Sequence, residues 1–135
     1  MTVETLNPPG LHRSDAYSQV AVARGGRTIY LSGQVAFDEK GVVVGSGSLE
    51  LQTEQVFLNI AAALKAVGAG FQDVARMTVY VPGWQPEMME QLMAGAMRAA
   101  PQVGFDGKRP MTLLGVSSLA LPELLIEVDV IAVAD

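Results

Sequence analysis

Two groups of residues in this 135-residue chain have the types and spacing to do chemistry. Glu127 stands inside the apolar run Leu124-Leu125-Ile126-Glu127-Val128-Asp129-Val130-Ile131. Strand side chains alternate between faces, so Glu127 shares a face with Leu125, Asp129 and Ile131. Paired acids are ordinary on the solvated side of an edge strand. If that face meets another subunit, Glu127 instead becomes a partly desolvated carboxylate suited to positioning or deprotonating water. The second group is Leu31-Ser32-Gly33-Gln34, where a strand closes on a hydroxyl, a glycine and an amide. Glycine admits close approach of a ligand or of another backbone, and Ser32 with neighbouring main-chain N–H groups can donate to an anion. A simple strand-ending turn reads the same way, and residue types alone do not separate the two.

Other chemistries are excluded or disfavoured. The chain has no cysteine, so disulfides, thiolate metal sites and a cysteine nucleophile are ruled out. Its single histidine, His12, has no neighbours at ligand or triad spacing, so no metal and no cofactor is expected. Trp84, after Pro82-Gly83, reads as a packing residue at a loop. A net charge of −5 argues against a surface that neutralises phosphates, and no nucleic-acid partner is expected. No apolar run reaches membrane-spanning length and no basic-then-apolar segment opens the chain, so a cytoplasmic protein without membrane contact is expected. Half the residues are hydrophobic and 17% are charged, a balance that points to apolar surface covered by another subunit.

The elements that must position these groups follow from periodicity. Tyr17 to Ala23 alternates, Gly25-Gly26 supplies a turn, and Thr28 to Leu31 is β-rich, together a hairpin. Asp38 to Gly41 separates Val35-Ala36-Phe37 from Val42-Val43-Val44 as a further short strand pair. Ser46, Gly47 and Ser48 offer an N-cap to a helix whose Val56, Ile60, Ala63, Leu64 and Val67 recur at helical spacing until Gly68 and Gly70. A strand over Met77–Val81 ends at Pro82-Gly83. Pro86 opens a second helix, whose methionines between Met88 and Met97 read as core filling. A loop from Pro101 to Lys108, a strand from Thr112 to Val116, a Leu121-Pro122 turn and a strand from Leu124 to Val133 complete the chain. The order predicts one α/β domain over residues 1–135, an α+β arrangement with a single mixed sheet, two helices on one face and the other face needing a cover.

Ala16-Tyr17-Ser18-Gln19, Leu31-Ser32-Gly33-Gln34, the helix end Ala63-Leu64-Lys65-Ala66-Val67-Gly68, Asp73 through Val81, and Leu121-Pro122 leading into Ile126-Glu127-Val128-Asp129 together resemble the Rid/YjgF family across nearly the whole chain. The resemblance implies a chorismate-mutase-like fold, a homotrimer with a central barrel, and small-molecule clefts between subunits. Active members hydrolyse imines and enamines of 2-oxo acids, an arginine holding the substrate carboxylate and a glutamate positioning water. By position, Tyr17, Ser32, Gly33 and Glu127 fall on cleft residues, with Glu127 as the catalytic group.

The arginine is missing. Where the family reads Pro-Ala-Arg-Thr or a close variant, this chain has Arg109-Pro110-Met111-Thr112, which puts Met111 in the guanidinium's place and Leu113 two residues on. A thioether cannot replace a bidentate arginine–carboxylate pair. Arg109, on the same face as Met111 if both lie in one strand, is a candidate stand-in, although Pro110 intervenes. The resemblance therefore implies a deaminase or hydrolase acting on an imine, enamine or related carbonyl compound other than the usual 2-imino acids. A non-catalytic small-molecule-binding or regulatory trimer is the alternative, and the acidic charge disfavours the ribonuclease activity ascribed to some members.

Overall fold

A computed structural model describes residues 2–135. Six strands and two helices run in the order β1 (Val3–Leu6), β2 (Val20–Ala23), β3 (Arg27–Tyr30), α1 (Leu49–Ala66), β4 (Val74–Pro82), α2 (Met89–Val103), β5 (Met111–Val116) and β6 (Glu127–Ala134). The main sheet is mixed, in the order β3-β6-β4-β5, with only β4 and β5 parallel. The buried core lies between its helix-bearing face and α1 and α2.

The predicted Gly25-Gly26 hairpin is replaced by a different pairing. β2 pairs antiparallel with β1, an N-terminal strand the periodicity did not mark, while β3 pairs with β6. Gly25 is still required where it stands, at φ 159°, because a Cβ there would lie 2.8 Å from the Ala134 carbonyl oxygen. The second predicted strand pair is reduced to one antiparallel bridge, Phe37 to Val43, with the Asp38 carboxylate accepting from the Lys40 and Val42 amides in the turn.

Helix α1 is set at both ends by its sequence. The Ser48 hydroxyl accepts from the Leu51 amide at 3.1 Å. At the other end the Gly68 amide donates to Lys65 and the Ala69 amide to Leu64, a Schellman closure that needs the left-handed Gly68 (φ 74°). Val56, Ile60 and Leu64 carry its buried stripe. Helix α2 runs past the predicted boundary at Pro101 to Gly104, which closes it at φ 75°. Proline there removes the bond to the Met97 carbonyl, but Pro101 is itself exposed and stands within the final turn, and that turn is kept.

The helices cross with Gly95 of α2 against α1, where a Cβ would stand 2.6 Å from Thr53 Cβ and against the Glu50 carbonyl oxygen. Alanine in a helix is intrinsically favoured over glycine by about 1 kcal/mol. Here overpacking against backbone, typically about 1–3 kcal/mol, opposes it and outweighs it. Gly95→Ala is expected to lower the urea midpoint with an unchanged m-value; a raised midpoint would show that the crossing relaxes freely.

Candidate functional site

The pleat divides the sheet's chemistry between its two faces. Met77 pairs with Met111 across β4–β5 and with Val130 across β4–β6, and all three side chains share the helix-bearing face with Val79 and Leu113. Tyr80 pairs with Glu127 and Thr78 with Asp129, and these lie on the face that carries no helix. Along β6 the alternation is plain, with Val128, Val130, Ala132 and Ala134 buried and Glu127, Asp129, Ile131 and Val133 half-buried.

On the helix side, a cavity of about 690 Å³ opens between α2 and the sheet. Met77, Val79, Met111, Leu113 and Ile126 supply its wall on the sheet side. Met89, Met93 and Met97 supply the helix side, and Tyr17 stands at its edge on the loop before β2. These three methionines are not the core filling expected from helical spacing. The helix carries two stripes, one of the half-buried Leu92 with the buried Ala96 and Ala99, of which Leu92 and Ala96 also reach the cavity, and beside it Met89, Met93 and Met97, which remain 38–65% exposed and line the cavity too. Phe57, Phe71 and Phe105 pack as an aromatic triad with centroids 4.9–5.7 Å apart, fixing the loop after α2 beside the cavity.

On the opposite face, Glu127 packs against Gly33. Leu31 donates to the Val130 carbonyl, but Gln34, not Gly33, exchanges both backbone hydrogen bonds with Val128. One extra residue is thus inserted, a bulge that turns Ser32 and Gly33 out of the ladder. A Cβ at Gly33 would lie 2.8 Å from Glu127 Cδ and collide with Oε2, so a larger residue there would displace the carboxylate end from its place. The close approach permitted by that glycine is made by the glutamate itself. Beside it, the Tyr80 hydroxyl donates to Asp129 Oδ2 at 3.0 Å. That hydrogen bond, then burial and the nearby Asp129 and Glu127 charges, raise the Tyr80 phenol above its usual value.

The lead-in to Glu127 is held by Gln52, a fully buried polar residue of α1 that periodicity did not single out. Its amide nitrogen donates to the Glu123 carbonyl and its amide oxygen accepts from the Leu125 amide, both at 2.9 Å, as a neighbouring strand would. A glutamine at the boundary of the α1 apolar stripe is the one sequence signal that could have found it.

Each residue picked out from the sequence now has a place. Tyr17, Met111 and Leu113 meet in the cavity; Gly33 and Glu127 meet on the other face, with Ser32 exposed beside them. Within one chain the two sets do not converge. Arg109 joins neither. It is 3% exposed, and its guanidinium donates to the Gln72 and Val74 carbonyls at 3.2 Å and meets Asp106 at 3.4 Å. Pro110 precedes β5, so Arg109 lies outside the strand and is turned into the protein as a strut under the start of β4, which corrects its reading as a substitute anchor. Trp84 packs against the core beside Gly115, as expected, and His12 is an exposed loop residue whose carbonyl accepts from Gln19. No cluster of three or more potential metal ligands occurs among the described residues.

Comparison with known proteins is consistent with this architecture throughout. The family model described as endoribonuclease L-PSP matches residues 10–134. The chain belongs to the Rid/YjgF family. A Rid family protein of Yersinia pestis superposes with a TM-score of 0.88 at 34% identity, covering 98% of this chain and 99% of that one. A RutC family protein of Synechocystis is 29% identical over 119 residues, 87% of this chain and 85% of its own length. The human 2-iminobutanoate/2-iminopropanoate deaminase is 34% identical over 77 residues, 57% of this chain and 53% of that protein. No helix among the described residues is long and apolar enough to cross a membrane.

The two arginine roles are separable by stability. Arg109→Ala leaves the buried Val74 carbonyl and the part-buried Gln72 carbonyl without their donor and is expected to cost about 2–4 kcal/mol in urea unfolding. Unchanged stability would mean that Arg109 is free to serve a ligand.

Proposed function

We propose that this Rid/YjgF protein is a homotrimeric hydrolase in which neighbouring subunits unite the two half-sites, and that it acts on an imine or enamine other than a 2-imino acid. The supporting observation is the division itself: a deep cavity holding Tyr17, Met111 and Leu113 on one face, and Glu127 packed on Gly33 beside Ser32 on the other. A second copy laid against the open face supplies the missing half, and that face, with Tyr30 74% exposed and Leu114 43% exposed, has apolar surface to cover.

In the joined cleft Glu127 takes a proton from water as the oxygen adds to the C=N carbon, and returns it to nitrogen to give a carbinolamine. The carbinolamine hydroxyl then gives its proton to Glu127, which passes it to the NH2 group as the C–N bond breaks, so that ammonia leaves, Glu127 is again a carboxylate, and imine and water have become carbonyl compound and ammonia. Ser32 and adjacent amides can hold the reacting end. Nothing on the cavity wall anchors a carboxylate adjacent to the imine, because Met111 stands at that position and no lysine or arginine lines the chamber. A second reading, binding without turnover, is favoured by the apolar character of the same wall.

The test couples an amino-acid oxidase to semicarbazide trapping and follows loss of 2-iminopropionate. Wild type should be slow. Met111→Arg should raise kcat/KM at least tens-fold, in line with about 2–5 kcal/mol for a charged anchoring pair, and Glu127→Gln in that background should abolish the gain. Efficient wild-type turnover of 2-iminopropionate would overturn the substrate assignment. Failure of Met111→Arg to gain any activity would favour the binding reading.

A further inference from the structure

A second cavity of about 340 Å³ adjoins the methionine-walled chamber and differs from it in character. Ser14, Asp15 and Tyr17 line both, so the two meet at the loop before β2. The smaller one carries the side chains of Arg13 and Lys108, distant in sequence, together with the buried Ser18.

The other cations of the chain are largely committed. Among the described residues, Arg24, Arg98 and Arg109 form ion pairs, Arg27 donates to the Val67 and Asp135 carbonyls, and Arg76 donates to Thr112. Lys65 sits in the last turn of α1, where its charge complements the helix dipole, and Lys40 lies in the Asp38 turn. Arg13, Lys40, Lys65 and Lys108 have no ion-pair partner among the described residues, and of these four only Arg13 and Lys108 line a cavity, the same polar one. Asp15 shares that wall, leaving two cations against one carboxylate there, and Asp106 on the neighbouring chamber is paired with Arg109.

We propose that the ligand is amphipathic, with an apolar chain or ring in the methionine-walled chamber and a terminal anion at the mouth, facing Arg13 and Lys108. This rests on reading the chamber as the ligand site. The anionic end is thereby moved away from the position of Met111, where a carboxylate would be desolvated without a partner, to a rim where it keeps part of its hydration. The two ends contribute unequally. Burying each methylene is worth about fourfold in affinity, whereas two solvent-exposed charge contacts together are worth about five- to tenfold and are screened by salt. The chamber therefore supplies most of the affinity, and the cations decide which end faces out.

Calorimetric titration of the full-length protein with n-alkanoates from butanoate to octanoate, with octanol and with octylammonium, tests this. Affinity should rise about fourfold per methylene, and octanoate should exceed octanol about five- to tenfold at low salt. That ratio should fall towards one in R13Q/K108Q and in 1 M salt. Octanoate no tighter than octanol, octylammonium as the tightest of the three, or an octanoate preference that survives in R13Q/K108Q would each overturn the anion mouth. Met93→Glu, which puts a carboxylate on the chamber wall at a partly exposed helix position, separates the two levels. Loss of octanol binding in that variant supports the chamber even if the anion preference fails. Octanol binding indifferent to Met93→Glu, or no saturable binding by any member of the series, would remove the chamber and the proposal together.

Discussion

The pleat of the β-sheet is the constraint on which the rest depends. Met111 and Leu113 face the helices because they pair with Met77 and Val79, whose side chains are core. Glu127 pairs with Tyr80 and faces the other way. No rotamer change brings a carboxylate on one face of a sheet to a methionine on the other. A site that used both would have to draw them from different chains. The bulge at Ser32-Gly33 belongs to the same logic: it takes two residues out of the ladder and leaves room for the Glu127 carboxylate.

Around that constraint, polar residues in the interior hold the working parts still. Gln52 acts as a surrogate strand edge for Glu123 and Leu125, so the backbone enters β6 with Glu127 correctly phased. Arg109 does the same for the turn before β4, and the Phe57–Phe71–Phe105 triad ties down the loop between α2 and β5. With Arg109 committed to main-chain carbonyls and a thioether at 111, the chamber has an adaptable, largely apolar lining with no lysine or arginine on its wall.

Much of this was legible in the residues. The α1 stripe and caps, the alternation through Met77–Val81 and the Glu127–Asp129 face follow from periodicity, and the family follows from the order of short motifs. What escaped has physical causes. β1 and the β1–β2 pairing depend on contacts distant in sequence that a four-residue strand does not announce. The open methionine stripe of α2 has the same spacing as a core stripe, and only the position of the partner layer tells them apart. Pro101 looked like a boundary because proline's penalty in an exposed last turn is smaller than in a helix interior. Arg109 was ambiguous because its fate turned on whether it entered the strand, which Pro110 prevents.

The absence of cysteine makes the central claim directly measurable. If the half-sites meet between subunits, a Ser32→Cys/Leu113→Cys double variant oxidised under mild conditions should give covalent dimers and trimers on a non-reducing gel, while neither single variant forms such a ladder. A double variant that stays monomeric under oxidation, or closes an intrachain bridge, would contradict a cleft built from the Ser32 side of one subunit and the Leu113 side of the next.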